Sequence, residues 1–138
     1  MKRVLIGLFT LLLALPAFAE RKQSVGEYDV HYIAFASGFL QPEVAQAAGL
    51  VRSKNQGVVN IAVQKAGQAV PALVSGTVKN LLGQDRPLSF RQVKEGDAIY
   101  YLAQFPVDGQ ETLRFALQVQ PMGAEPIPLQ FTQELYPE

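Results

Sequence analysis

The sequence predicts an all-β fold, an antiparallel immunoglobulin-like β-sandwich of about seven strands with one short helix in its first long loop. Seven short segments alternate apolar and polar residues or are rich in β-branched and aromatic residues. Turn-forming residues separate them, and no long segment has a helical period. The Cys and Trp residues typical of antibody domains are absent. The prediction therefore depends on strand number and spacing, and a small barrel is the alternative.

The first three predicted strands lie in the N-terminal half of the chain. Glu27–Phe35 alternates aromatic and aliphatic residues with polar ones, and Val58–Lys65 places Val and Ile on one face with Asn and Gln on the other. Val70–Asn80 contains Gly76, which predicts a bulge or a close packing neighbour. Leu81–Pro87 is predicted to be a loop.

Four more predicted strands follow. Leu88–Lys94 ends at the turn EGD. Ala98–Phe105 is apolar on both faces, which predicts a central strand or one that is covered on both sides. Thr112–Gln120 shows the clearest alternation in the chain. Ile127–Tyr136 contains Pro128, which predicts an edge position because proline cannot donate to a neighbouring strand.

Residues 1–19 have the layout of a cleavable signal peptide. A short basic start, MKR, precedes the uncharged apolar run VLIGLFTLLLAL and the small-residue triplet AFA, which ends at Ala19. The apolar run is shorter than the ~20 residues that span a bilayer. We therefore expect export, cleavage after Ala19, and a single domain over residues 20–138 with no membrane span.

The connection Phe35–Gly57 is unusual because most connections have a median of ~4–6 residues. Pro42 suits the first turn of a helix, Gly49 suits its C-terminal end, and the alanines between them favour helix. The sequence thus predicts a helix over Pro42–Ala48. We expect the apolar first half of the connection to pack against the sandwich and the second half to be available for binding. The residues predicted to pack are Phe39, Leu40, Val44 and Leu50.

Composition argues against several chemistries. The absence of Cys excludes disulfides, thiol nucleophiles and thiolate metal sites. His31 is the only histidine, and Asp29 shares its strand face, so the two could act as base and orienting carboxylate or as two metal ligands. A polar pair on a strand is the interpretation that we favour. Few Met and His residues argue against a copper carrier, and no nucleophile elbow or phosphate-binding loop occurs.

We therefore expect no enzymatic activity, no catalytic residues, no metal site and no cofactor. The formal net charge of zero also predicts no binding to nucleic acid. Arg91 and Arg114 are predicted to lie on outward strand faces and to pair with an acid such as Glu111.

Arg52, Lys54 and Asn55 are the candidate binding residues. Loops that a rigid sandwich positions commonly bind partners, and two cations beside a structured insertion could engage carboxylates, phosphates or a partner backbone. The alternative is a solvated approach to the next strand. The predicted function is a non-enzymatic interaction or accessory module that binds another envelope protein. The alternative is a carrier of a small ligand or carbohydrate, with a groove lined by Tyr28, Tyr32, Tyr100 and Tyr101.

The phrases RSKNQG, PLSFRQV, GDAIYY and ETLRF, taken together over residues 21–136, are similar to a family of small exported proteobacterial proteins. That family is known as domain of unknown function 4426. The resemblance implies a β-sandwich in the envelope of a Gram-negative bacterium, and hence a periplasmic location. It implies no reaction, ligand or catalytic residue.

Overall fold

The computed structural model describes residues 21–136. The predicted signal peptide, residues 1–19, lies outside them. Ten strands form two antiparallel sheets that pack as a sandwich and not as a barrel, which confirms the predicted fold class. The strands are β1 (Arg21–Val25), β2 (Tyr28–Ala36), β3 (Gln56–Lys65), β4 (Gln68–Ala69), β5 (Ala72–Lys79), β6 (Asp85–Leu88), β7 (Arg91–Glu95), β8 (Ala98–Pro106), β9 (Glu111–Pro121) and β10 (Ile127–Leu135), and the helix is α1 (Pro42–Ala48).

The two sheets differ in size. The large sheet has the strand order β1-β2-β3-β8-β7, with the short β4 also paired to β3, and the small sheet has the order β10-β9-β5-β6. Strand β10 is therefore an edge strand, as Pro128 predicted. Gly76 also lies where a side chain would meet Ala116 and Leu117 of the neighbouring strand, which confirms the close packing neighbour.

Two predictions about residues 81–94 are wrong. Asp85–Leu88 is a strand and not wholly a loop, because it pairs with β5 through its backbone at a sheet edge, where no apolar alternation is needed. The single strand predicted over Leu88–Lys94 is two strands. Strand β6 ends at Leu88 in the small sheet, and β7 begins at Arg91 in the large sheet. The chain changes sheets at Ser89 and Phe90.

Stacked aromatic rings fill the space between the sheets. Phe115 packs edge-on against Phe105 at 5.4 Å and face-on against Phe131 at 4.6 Å. The hydroxyl of Tyr101 in the large sheet accepts a 2.9 Å hydrogen bond from the backbone N–H of Ala72 in the small sheet. Burial of each such ring stabilises the fold by about 1.5–3 kcal/mol. This core fixes the two sheets relative to each other and makes the sandwich a rigid support.

A second apolar cluster lies on the outer face of the large sheet, beneath α1. Strand β8 is thus apolar on both faces because it contacts the inter-sheet core on one side and this outer cluster on the other, as predicted. Within residues 21–136, no helix is long and apolar enough to cross a membrane. The buried members of the outer cluster are Ile33, Phe35, Leu40, Ala45, Ala48, Val58 and Leu102.

Candidate functional site

Hydrogen bonds join the two ends of the segment between β2 and β3. Ser37 is fully buried, and its Oγ donates to the backbone carbonyl of Ser53 at 2.8 Å while accepting from the Ser53 N–H at 2.9 Å. Both polar groups of the buried hydroxyl are therefore satisfied. The chain leaves and re-enters the sheet at a fixed point, so the segment 37–55 forms a closed flap over the outer face.

Two side chains of the large sheet hold this flap down. Arg91 Nη1 lies 3.5 Å from the carbonyl oxygen of Ala48 and 3.4 Å from that of Gly49, so it donates to the C-terminal end of α1. A cation suits this position because the last carbonyls of a helix lack partners within the helix. The amide of Gln104 donates to the Val51 carbonyl and accepts from the Val51 N–H. Arg91 thus contacts the end of α1 and not the acidic partner that the sequence predicts.

The structure places the predicted binding residues in the second half of the flap, where all three are exposed. The guanidinium of Arg52 donates to the Gly38 carbonyl at 3.1 Å, so Arg52 braces the flap. The backbone carbonyl of Asn55 accepts from Val107 at 2.9 Å. The second half of the flap is therefore tied to the sandwich by its backbone. Lys54 and Asn55 expose their side chains to solvent, but the three residues do not converge on one cavity.

An apolar cavity of about 160 Å³ lies between α1 and the outer face of the large sheet, open along one side. Of the seven residues of α1, Ala45 and Ala48 are buried against the sheet, and the small, exposed Ala47 lines the cavity. The short helix therefore covers the apolar face incompletely. The cavity is lined by Leu40, Val44, Ala47, Asn60, Val93, Tyr100 and Leu102, with the charged residues Glu43, Lys94 and Glu95 around it.

Asn60 is the unusual residue of this cavity. It lies in the middle of β3, between Ile33 of β2 and Leu102 of β8, and is 2% exposed. Its Oδ1 has no hydrogen-bond partner among the described residues. Buried polar atoms nearly always have a partner, and an unsatisfied one costs about 1–3 kcal/mol. From the sequence, Asn60 is predicted only to be a polar position of a strand. Nothing in the sequence indicates its burial, because the apolar residues beside it, Ile33 and Leu102, belong to other strands.

A polar cleft at one end of the sandwich has a volume of about 420 Å³. Its carboxylate Glu111 already accepts a hydrogen bond from the Asp108 N–H at 2.5 Å. No aromatic residue is among those that the structure describes around it. Its lining residues include Asn55, Gln56, Asn80, Gln84, Arg86, Asp108 and Glu111.

The other candidates from the sequence have structural surroundings. Asp29 accepts a 2.6 Å hydrogen bond from the hydroxyl of Ser24. Within residues 21–136, no group of three or more His, Cys, Asp or Glu residues is arranged to hold a metal ion. Of the four tyrosines proposed for a groove, Tyr28, Tyr32 and Tyr101 belong to the inter-sheet core and Tyr100 lines the cavity.

Comparison with known proteins identifies the family. The profile described as domain of unknown function (DUF4426) matches residues 22–138, so the chain belongs to the DUF4426 family. A DUF4426 family protein from Pseudomonas aeruginosa PAO1, known from a crystal structure, is 48% identical, with a TM-score of 0.80 over 86% of this chain and 96% of that chain. The chain matches no curated protein.

More distant structures share the fold alone. FetP of uropathogenic Escherichia coli strain F11, isolated after expression in the periplasm of E. coli BL21(DE3), is 14% identical, with a TM-score of 0.65 over 88% of this chain and 99% of FetP. A copper-bound variant of FetP is 13% identical, with a TM-score of 0.57 over 85% of this chain and 96% of that chain. At this identity the likeness concerns architecture and carries no binding site to this chain.

Proposed function

We propose that this member of the DUF4426 family is a non-enzymatic, periplasmic interaction module that binds another envelope protein and holds one apolar side chain of that partner in the cavity beneath α1. The observation that carries this proposal is the apolar cavity that the pinned flap leaves over the sheet. The signal-peptide pattern of residues 1–19 supports the periplasmic location.

The size of the cavity favours a partner side chain over a free metabolite. Pockets for small molecules usually measure about 300–1,000 Å³, whereas an engineered cavity of about 150 Å³ binds benzene. At about 160 Å³ the cavity therefore accommodates one ring-sized group. Protein interfaces use such pockets to hold a single anchor residue, and a few anchors supply most of the binding energy.

The residues around the cavity have the composition of a small protein–protein binding site. The lining combines apolar residues with the charged Glu43, Lys94 and Glu95, and protein–protein interfaces likewise combine an apolar core with a polar rim. The contacts of Ser37, Arg91 and Gln104 hold the flap in place before any partner arrives. Binding therefore requires little ordering of the backbone, and that ordering is one of the main costs of association.

The candidate residues from the sequence take secondary roles in this proposal. Arg52 stabilises the flap through the Gly38 carbonyl, and its charge is partly engaged there. Lys54 and Asn55 expose polar groups on the same flap and would supply peripheral contacts to the partner. Peripheral contacts of this kind usually change association rates and salt dependence more than affinity.

Copper binding of the kind that the FetP variant shows is not part of the proposal. The fold is shared, but residues 21–136 provide no group of three or more His, Cys, Asp or Glu positioned for a metal.

The proposal is tested by filling the cavity. Ala47→Phe places a ring at the cavity wall, while Gln46→Phe adds the same ring at an exposed neighbouring position of α1 that does not line the cavity. A photo-crosslinking amino acid at Lys94, on the rim, reports partners in the native envelope. We expect one crosslinked protein with the native flap and with Gln46→Phe, and its loss with Ala47→Phe at unchanged melting temperature. Equal crosslinking in all three proteins would contradict the proposal.

A second candidate function is a carrier of a small polar ligand or carbohydrate in the cleft at the end of the sandwich. Its volume of about 420 Å³ lies within the usual range of ligand pockets. A ligand that binds only the folded protein raises its melting temperature. A thermal-shift screen of envelope sugars and metabolites against the native protein and Arg86→Ala would support this function if a compound stabilised only the native protein. A screen without stabilising compounds at millimolar concentration would argue against it.

A further inference from the structure

We propose that two copies of this chain pair through β7, an edge strand of the large sheet, as a symmetric antiparallel dimer with Val93 on the two-fold axis. This contact goes beyond the proposed function, since it joins identical chains, whereas the cavity receives a different protein. The observation that carries it is the sequence of β7, RQVKE, whose charges complement each other when two copies run in opposite directions.

Strand β7 lacks the protection that the edges of the small sheet have. Among the described strands, it is hydrogen-bonded only to β8. Both edge strands of the small sheet contain proline, Pro87 in β6 and Pro128 in β10, and the carbonyl of Pro128 already accepts a hydrogen bond from Gln23. Proline and side-chain cover are ways in which proteins block pairing between edges. Strand β7 contains no proline, and all its residues except Val93 are exposed.

The backbone of β7 directs hydrogen-bonding groups away from the sheet. The two-residue turn between β7 and β8 sets Glu95 opposite Ala98, and a turn of this kind is closed by a backbone hydrogen bond between the two flanking residues. Hydrogen bonding alternates along an antiparallel pair, so the groups of Val93 also face β8, while those of Gln92 and Lys94 face outward. In the dimer, Gln92 of each copy exchanges both its backbone hydrogen bonds with Lys94 of the other copy.

The side chains of β7 fit this register. With Val93 on the axis, Arg91 lies opposite Glu95 of the other copy, and the symmetry repeats this pair of opposite charges. Lys94 lies opposite the neutral Gln92, so no like charges are directly opposed. Charged residues on an edge prevent pairing where like charges meet, whereas opposite charges across an antiparallel pair are favourable. The two Val93 side chains form a pair without backbone hydrogen bonds, in which side chains lie closest together.

The other edge of the large sheet does not have this complementarity. Strand β1 reads RKQSV, and its charged residues, Arg21 and Lys22, are both basic. Arg21 also donates to the Thr132 carbonyl of β10 at 3.1 Å, so its guanidinium is engaged within the same chain. Self-pairing of β1 therefore sets no acid opposite a base. The complementarity is a property of β7 and not of the edges in general.

The dimer is expected to be weak and to bring two binding sites together. A five-residue strand buries less than the ~1,000 Å² of a stable interface, so we expect a dissociation constant on the order of 100 μM. Val93 and Glu95 also line the cavity beneath α1, so the two cavities lie on either side of the axis. Two linked sites bind a partner with two anchor groups more tightly than one site does.

The first experiment reverses the charges and measures dimer formation by sedimentation equilibrium at concentrations up to millimolar. Arg91→Glu alone and Glu95→Arg alone each set like charges opposite each other at both ends of the pair, so each variant should be monomeric. An equimolar mixture of the two variants restores opposite charges at both positions. We expect the mixture to form a heterodimer with about the affinity of the native dimer. A loosened flap in Arg91→Glu cannot produce this rescue.

The second experiment locates the axis with an introduced thiol. The chain contains no cysteine, so a disulfide between copies can form only through the introduced residue. Val93→Cys sets two thiols opposite each other and should oxidise to a covalent dimer. Lys22→Cys, on the exposed edge β1, is the control for random collisions and should remain mainly monomeric, although its thiol is the more accessible of the two.

Each outcome either supports this pairing or overturns it. A native protein that stays monomeric at millimolar concentration would overturn it, and so would a dimer that both single charge variants still form. A mixture of the two variants without heterodimer would also contradict it. These results leave the proposed function open to its own test with Ala47→Phe. In the crosslinking at Lys94, a product with two copies of this chain is distinguished from the envelope partner by its mass.

Discussion

The outer faces of the two sheets share one sandwich and differ in almost every other respect. On the large sheet, Tyr100 and Leu102 of β8 point away from the inter-sheet core into a second apolar cluster beneath α1. On the small sheet, Arg114 and Gln118 of β9 point away from the same core and are exposed, and no described helix lies over them. The flap therefore gives the large sheet a second, smaller apolar core, and the cavity and the unsatisfied Asn60 lie where the flap covers that sheet incompletely.

The largest predicted effect tests whether the covered face contributes to stability as a core does. Phe35 is 0% exposed in the outer cluster, so Phe35→Ala should lower the free energy of unfolding by about 3–5 kcal/mol. On the uncovered outer face of the small sheet, Gln118→Ala should change the free energy of unfolding by no more than about 0.5 kcal/mol. Urea unfolding measures both. A small loss of unfolding free energy in Phe35→Ala would mean that the cluster beneath the flap contributes little to stability.

The difference between the faces was visible in the sequence because alternation reports burial directly. The period-two pattern of Thr112–Gln120 indicated a face exposed to water, and the continuous apolar run of Ala98–Phe105 indicated cover on both sides. Pro42 and Gly49 marked the ends of the covering helix correctly. These signals are local, since they depend on the residues of one element.

The features that the sequence did not reveal depend on contacts between distant elements. Edge strand β6 forms by backbone pairing, which leaves little trace in side-chain pattern. Arg91 finds the end of α1 only because β7 lies beneath the flap. Asn60 looks like any polar strand residue until Ile33 and Leu102 are placed beside it. The cavity is the space left by all these elements together, so no single segment predicts it.

The second prediction concerns the defect in the covered face. Asn60→Leu removes an unsatisfied buried acceptor and should raise the free energy of unfolding by about 1–3 kcal/mol. Gln64→Leu, on the same face of β3 but half-exposed, should change it by no more than about 0.5 kcal/mol. Urea unfolding midpoints compare the two. A destabilised Asn60→Leu variant would show that the asparagine has a structural partner in the folded protein.

A gain in stability on losing Asn60 would also bear on function. Residues that lower stability are typical of functional sites, so such a gain would indicate that Asn60 serves a purpose other than stability. The outer face of the small sheet has no comparable residue among those described, because its polar side chains, such as Gln118, are exposed and can bond to water.

The third prediction tests the attachment of the flap through a matched pair of glycines. Gly49 and Gly96 both have left-handed backbone, with φ of 71° and 60°, so alanine should cost about 1 kcal/mol at either position. At Gly96 the added methyl group meets nothing within 4 Å, whereas at Gly49 it meets Arg91 Nη1, which donates to the helix end. Gly49→Ala should therefore be the more costly change.

Arg91→Ala provides the control for this attachment. In that background Gly49→Ala should cost no more than Gly96→Ala, because the displaced guanidinium is no longer there. Urea unfolding of the single and double variants gives the coupling between the two positions. Additive effects of Gly49→Ala and Arg91→Ala would show that the added methyl group does not act through the guanidinium.

The smallest predicted effect is on the pKa of Tyr136, which follows β10 at the edge of the small sheet. A hydrogen bond from Tyr136 to Glu134, together with the negative charge of Glu134 and slight desolvation, raises the pKa of Tyr136 above its ordinary value of 10.0. A raised pKa means that the folded state holds this proton more firmly than the unfolded state. The stabilisation is therefore complete below pH 10.0 and is lost as the pH rises through the pKa of the folded state.

The pKa of Tyr136 is measured by alkaline absorbance titration. Subtracting the titration of Tyr136→Phe from that of the native protein isolates this group from the other tyrosines. Glu134→Gln should remove the negative charge and bring the pKa back toward 10.0, and added salt should weaken the shift because both side chains are exposed. An unchanged pKa in Glu134→Gln would show that Glu134 is not its cause, and a shift that resists salt would show that this end of the small sheet is shielded from water.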